Sequence, residues 1–592
     1  MLSSGGRTAS LRLAPKLAIV AIAALVLQHS AIAQAFSYRV EITAPEPLAK
    51  QLRTNLDIER WSHHADVTEG QFEQLFHSAP DQIREILATD GYFSPEVDAT
   101  LEPGTTPTAR FTIRPGEPTR IAKIDFKVTG AVTQDAQGAA RIEDARRTFA
   151  IKAGDIFRQA SWTATKDAAV HSLTRLRYPT AHIVSSRVQV DPVARSADVA
   201  LEIDSGMAFV FGGLRVVGLK RYPKHIVENL NSIRRDDVYD EDALIKFQRR
   251  LLATGYFASA IVTTRVEGRT SGRTPVVVNI VEAASQHVEV GVGVSTDRGP
   301  RGQLDYRDNN FFNRAWKLSA GLYVDRLSQS VSTGLQFPRM ENGWHYGLEA
   351  KFKNEDIQGQ RITSWSTTGL HTYTTEEYES SQALQFLTER SALNDGTSDN
   401  RQALFLNQSW TWNGLDDLIN PRRGYLANLQ LGGASASLLS TRSFGRVYGR
   451  INYLQPLGPQ WTLGLRAETG VVLAENREGI PSAYVFRTGG DTTIRGYAFE
   501  SLGVKQGEAV VGGRYLVIGS VELTRWITPQ WGGAVFYDVG NAFDDLHEFD
   551  PVSGYGVGAR WRSPIGNLSL DLAYGQADGG FHVHFSAGYA FR

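Results

Sequence analysis

With 592 residues, the chain is too long for one compact domain, so two or more are expected. Its 62 Lys and Arg nearly balance 63 Asp and Glu, a net charge of −1 that gives no electrostatic footprint for nucleic acid. Cysteine is absent, which excludes disulfides, thiol catalysis and Cys-ligated metals and is compatible with an oxidising compartment.

The N-terminus reads as a secretory signal. Arg7, Arg12 and Lys16 precede the apolar run Leu17 to Leu27, and Ala31-Ile32-Ala33 offers a small-x-small cleavage pattern, with Ala33-Gln34-Ala35 as a second choice. The run is shorter than the about 20 apolar residues that a spanning helix needs. No later stretch approaches that length either. Removal of residues 1–33 and an exported mature chain without a helical membrane anchor are expected.

From about Phe36 to Ala284, short strand-like runs alternate with helix-like ones. LATDGYFSPEV (Leu87 to Val97) returns as LLATGYFASAIV (Leu251 to Val262), with a weaker relative, LTRLRYPTAHIV (Leu173 to Val184), about halfway. The repeat is therefore roughly 80 residues long. Each copy carries an apolar-periodic helix, such as Phe72, Leu75, Phe76, Ile83, Ile86 and Leu87, then a turn, an aromatic residue and a strand. Gly91 and Gly255 fit the position just past a helix end, where a left-handed backbone is favoured. Strands are expected at Tyr38–Ile42 and Ala109–Ile113, Ile121–Val128 and Asp198–Ile203, and Phe209–Val217 and Val276–Val281, making three small two-layer modules in a row.

Repeats of this length with a Gly-Tyr step resemble POTRA domains, which precede outer-membrane barrels in the BamA/TamA superfamily. Domains at 34–117, 118–206 and 207–284 follow from that resemblance. Three generic α+β domains with coincidental glycines are the bland alternative.

From about Gln286 the helical period disappears and period two takes over. Val288, Val290, Val292 and Val294 alternate with Glu289, Gly291, Gly293 and Ser295. At the far end, Phe581, Val583, Phe585, Ala587, Tyr589 and Phe591 share one face. About 16 such segments fit between Gln286 and Arg592, which suits a closed even-numbered barrel better than a large soluble β domain. Trp410, Trp412, Trp526 and Trp531 sit near segment ends, where interfacial aromatic girdles are expected. The fold class is thus α+β periplasmic POTRA repeats, followed at 285–592 by an all-β, 16-stranded antiparallel transmembrane barrel.

No HExxH, P-loop, GxSxG or helix-opening GxGxxG motif is present, and no enzyme activity or cofactor is expected. His63-His64 is an adjacent pair, a poor geometry for one metal. His582 and His584 share a strand face but lack a nearby acidic cluster, so they read as polar residues facing a wet interior and no metal site is assigned.

A glycine-rich stretch, FRTGGDTTIRGYAFESLG, falls in a long connection at about 475–508, between the eleventh and twelfth segments. Its Ile494-Arg495-Gly496-Tyr497 resembles the VRGF/VRGY motif of the sixth loop of the BamA/TamA superfamily. Downstream GSVEL (Glu522), FYDVGNAF (Phe536 and Asp538, with Asp538 ending a strand) and upstream LINPRRGYLANLQ match the family's order across essentially the whole mature chain. The resemblance implies a loop folded into the lumen, with Arg495 paired to Asp538 and Glu522, Gly496 allowing tight approach and Tyr497 packing on the wall. A guanidinium fork suits carboxylates in a confined lumen better than an ammonium would.

The TamA branch is the nearest likeness, because the chain has three repeats and no plug helix before Tyr38. It implies a Gram-negative outer-membrane factor that helps fold and insert, or translocate, unfolded outer-membrane clients such as autotransporters. It also implies contact with outer-membrane lipid, a TamB-type inner-membrane-anchored periplasmic partner, and no nucleic acid. The seam would lie between the first strand (Val288, Val290, Gly291, Val292, Gly293) and the last (Phe585, Gly588, Tyr589, Phe591), whose glycines make it poor in packing mass. A final Arg592 behind Phe591 departs from the usual terminal aromatic. A two-partner-secretion pore and a passive channel with periplasmic tether domains are the alternatives.

Overall fold

The computed structural model describes residues 36–64, 66–266, 272–375, 377–563 and 566–587. The signal segment and the seam residues Gly588, Tyr589 and Phe591 lie outside the described residues. No described helix is long and apolar enough to cross a membrane.

Three sheets of three strands recur along the first half, each ordered first, third, second along its own repeat. In the first repeat, strand Arg39–Thr43 runs parallel to Thr108–Arg114, which pairs antiparallel with Glu96–Glu102. The long helix Glu69–Thr89 starts at a capping box, in which the Thr68 hydroxyl accepts from the Gln71 amide and Gln71 Oε1 accepts from the Thr68 amide. Phe72, Ile83 and Leu87 bury against Leu52, Ile58 and Phe111, while Leu75, Phe76 and Ile86 pack around that core. This periodic face is what holds helix to sheet. The helix ends before Gly91, whose φ of 93° lets the chain turn into Tyr92.

The second repeat uses strands Arg120–Thr129, His182–Asp191 and Ser196–Asp204 with helices Gly138–Thr148 and Gln159–Thr174. At the position of Gly91 it carries Arg177, which nevertheless adopts φ 71°. The left-handed turn thus belongs to the repeat and is kept where glycine is missing, at a cost of about 1–2 kcal/mol. Arg177 is held there by an ion pair with Asp135, which also accepts from the Tyr178 hydroxyl at 2.6 Å.

The third repeat has strands Val210–Val217, Phe257–Thr264 and Arg273–Glu282 and helix Glu241–Ala253, which ends before Gly255 at φ 72°. The chain divides into two compact units. One ends at Phe211 and takes in Asp236–Glu241 and Val266–Thr274; the other holds Gly212–Arg235, Asp242–Arg265 and everything from Pro275. Within the second unit the Tyr256 hydroxyl donates to the Ala315 carbonyl at 2.8 Å, and the Asn229 side chain donates from Nδ2 to the Arg339 carbonyl at 2.8 Å. Both acceptors lie in connections between barrel strands, at the end from which the first strand departs.

Sixteen antiparallel strands form one continuous sheet in sequence order, from Gln286–Ser295 to Gly580–Ala587. Val288, Val290, Val292 and Val294 are all exposed, Val292 at 89%. The same outward apolar face recurs on other strands at Leu322, Leu406, Val521, Val535 and Leu572. A band of this extent on an outer surface is stable in lipid rather than in water, and each ladder satisfies the backbone of the strands that it joins. Trp531 is exposed and stacks on Trp561 at 5.2 Å, in keeping with a girdle. Trp526 is not a girdle residue: it shares a strand face with Glu522 and Thr524, donates to Thr462 at 3.1 Å and carries the Arg562 guanidinium 3.4 Å over its ring.

Candidate functional site

The strand Trp461–Leu473 and the next barrel strand, Tyr515–Trp526, are separated by residues 474–514. This connection folds onto the inner walls. Near its start, Ser482 donates from both amide and hydroxyl to Glu389, and the Tyr484 hydroxyl donates to Gln385 at 2.8 Å. These acceptors lie on the seventh strand, Tyr378–Leu393. Its middle reaches the twelfth to sixteenth strands, so the loop crosses the lumen.

Arg495 is buried there. Its Nε and Nη2 donate to the two oxygens of Asp538 at 2.7 and 2.9 Å, and its own amide adds a third bond at 3.1 Å. Nη1 reaches Glu522 at 2.7 Å and Asp571 at 3.4 Å, and the guanidinium lies 3.5 Å from the centre of the Phe536 ring. Asp538 is wholly buried and also accepts from the Ser520 hydroxyl at 2.6 Å. Asp538 lies inside strand Trp531–Phe543 rather than at its end, five residues before Phe543, so the inner face continues past it.

Residues that sequence reasoning did not single out complete the cluster. Arg560 donates to both oxygens of Glu522 at 2.8 and 2.7 Å and to Asp571 at 2.5 Å. Arg466 approaches Asp538 to 4.0 Å and donates to the carbonyls of Thr492 and Thr493. Three carboxylates therefore face three guanidinium groups, which offsets the desolvation that each charge would suffer alone. Alternation carried the signal for these residues: Arg466, Arg560 and Asp571 interrupt barrel strands, and a charge there faces the lumen.

Ile494 and Tyr497 are fully buried. The Tyr497 hydroxyl donates to the Ser553 carbonyl at 2.9 Å and accepts from the Ala577 amide at 3.1 Å. Gly496 has φ 94°, and a Cβ on it would meet Tyr574 backbone at 2.8 Å. A Cβ on Gly554 would come 1.7 Å from the Arg495 carbonyl, and one on Gly575 would come 2.2 Å from that of Gly496. The loop tip thus meets bare backbone on both sides.

His584, read from the sequence as facing a wet interior, is only 2% exposed: its Nε2 accepts from the Gly496 amide at 3.0 Å. His582 is partly buried, with its ring 6.1 Å from that of His584. The first and last strands are the two ends of the sheet order, and no ladder joins them among the described residues. Phe585 donates across this seam from its amide to the Thr296 hydroxyl at 3.1 Å.

The Omp85 superfamily domain matches residues 284–591, more than half of the chain. The chain belongs to the Omp85 superfamily. A POTRA family described as surface antigen variable number repeat matches residues 209–283, and the first POTRA domain of TamA matches residues 40–115. This Omp85 chain is 23% identical over 431 residues to outer membrane protein assembly factor BamA of Nitratidesulfovibrio vulgaris, covering 66% of this chain and 52% of that one. BamA of Neorickettsia risticii is 20% identical over 494 residues, covering 77% and 64%. The Omp85 chain thus spans about half to two thirds of the length of these relatives. The crystal structure of BamA from Haemophilus ducreyi lacking POTRA domains 1-3 shares its fold, with a TM-score of 0.63 and 16% identity over 79% of this chain and 99% of that one. With this family and this barrel, the Omp85 chain is an outer-membrane protein with periplasmic POTRA domains.

Proposed function

We propose that this chain is an assembly factor of the outer membrane, which helps other barrel proteins fold and insert or cross. The observation that carries the reading is the seam: a sixteen-stranded sheet whose two end strands share no ladder among the described residues. Such ends hold backbone N–H and C=O groups that a client strand can pair with, by the same β-augmentation that builds any sheet. Arg495 with Asp538, Glu522 and Phe536 serves as a latch that sets the loop conformation, and no side chain is asked to do covalent chemistry.

Within the family we place the chain on the TamA branch. Support comes from the match of residues 40–115 to the first TamA POTRA domain; the repeats are read as domains at 34–117, 118–206 and 207–284. Autotransporters are then the expected clients, outer-membrane lipid the surroundings, and a TamB-type periplasmic protein the partner of the repeats. The decisive experiment compares the outer-membrane proteome of cells with and without the gene. Autotransporters and other barrel proteins should fall in abundance. Unchanged levels, together with a steady large conductance of the purified chain, would favour a passive channel instead.

A further inference from the structure

We infer that the loop is a two-ended clasp that holds the seam shut from inside, gripping the first hairpin with one end and the last strand with the other. One grip is on the turn between the first two strands. The Asp491 amide donates to Asp297 at 2.8 Å, and the Arg298 guanidinium lies 5.2 Å over the Phe499 ring. Gly490, at φ 107°, makes this approach possible, because a Cβ there would come 2.6 Å from Asp297 Oδ2. The other grip is the Gly496 amide on His584. His584 closes the circuit, with Nδ1 3.3 Å from Asp297 Oδ1. Nε2 acts as acceptor towards Gly496, so the ring proton of the neutral imidazole resides on Nδ1, facing the carboxylate.

Asp297 thus takes a bond from the loop and faces the last strand, while His584 takes a bond from the loop and faces the first hairpin. Both are almost fully buried, with side chains 7% and 2% exposed. Gly490 and Gly496 bracket Arg495, so the carboxylates that hold Arg495 also hold both grips in place. Release of Arg495 therefore loosens the seam, and the loop works as its bolt. His584 and Asp297 are positioning residues in this scheme.

The inference rests on the seam being the working part. It is tested without clients, so its failure and that of the assembly reading are separable. The full chain in nanodiscs is followed by amide hydrogen exchange. Arg495→Ala and His584→Ala should each speed exchange at Ser295–Gly299 and at Val583–Phe585 about tenfold or more, the loss expected from one or two hydrogen bonds. His584→Gln can accept from Gly496 and donate to Asp297, and should restore protection. If His584→Ala does not fold, Gly490→Ala cuts the opposite grip and has to speed the same amides. Faster exchange at Thr492–Tyr497 in Arg495→Ala with wild-type protection at Ser295–Gly299 would overturn the clasp. A failure of His584→Gln to restore protection would overturn the role of His584.

Discussion

Replacing Arg495 by alanine tests the lumen cluster most directly, and the structure says where the cost falls. Glu522 and Asp571 each keep Arg560, so neither is left alone. Asp538 loses two guanidinium bonds and keeps the Ser520 hydroxyl, the residue-495 amide and the Arg466 guanidinium 4.0 Å away. Arg466 compensates only in part, because its Nη1 and Nη2 already hold the Thr492 and Thr493 carbonyls of the same loop. Removing the bidentate partner of a wholly buried carboxylate in this way costs about 3–5 kcal/mol. Since about 1.4 kcal/mol is a factor of ten, the open-loop population should rise roughly 10²–10⁴-fold. The barrel is held by its own ladders and should persist. Limited proteolysis within residues 474–514 in detergent, with the heat-modifiable gel shift of the barrel as control, reads both. Arg495→Lys should recover little, because an ammonium cannot span both Asp538 oxygens. Wild-type cleavage rates in Arg495→Ala, with the barrel intact, would refute the reasoning.

Other consequences are equally concrete. Gly554→Ala places a methyl against the Arg495 carbonyl and should expel the loop as Arg495→Ala does, with all charges present; unchanged loop cleavage would contradict the close approach. Val521→Arg, on the outward face, should destabilise the barrel by about 2–4 kcal/mol in a lipid-based urea titration, whereas Val521→Leu should be near neutral. In the third repeat, burial pushes the Glu282 carboxyl up, but the Lys220, Arg221 and Tyr222 amides and the Arg221 guanidinium outweigh it and hold it at about 2. Its folded value lies below the unfolded value of about 4.3, so its contribution is complete above that pH and fades as pH falls towards 2. Glu282→Gln should therefore loosen the Lys220–Tyr222 turn by about 1.5–3 kcal/mol at pH 7, with a deficit that shrinks in acid, as read by amide exchange against wild type at each pH.

The strands were the most legible part of the chain, because alternation records which face meets lipid. Val288 to Val294 could hardly be read otherwise. Depth was not legible. Alternation puts Asp538 on the inner face but does not say that its strand continues to Phe543, nor that Arg560 arrives level with Glu522; both depend on stagger between strands. Trp526 misled for a related reason, since proximity to a strand end says nothing about which way an indole points. His584 was out of reach of local reasoning altogether: its partners are Gly496 and Asp297, both remote in sequence and brought near only when the sheet curls round. Arg177 is the converse case, a residue whose type hides a backbone shape that only the glycines of its sister repeats announce.

The bonds from the third repeat to the barrel have an uneven reach. Tyr256 and Asn229 attach to the connections beside the second to fifth strands, whereas Arg495 fastens the loop to the twelfth, thirteenth and fifteenth. The flank on the first-strand side is thus moored both to the third repeat and to the loop, and the flank on the last-strand side to the loop. A load on the third repeat thus meets one jamb of this doorway directly and the other through the loop that joins the two.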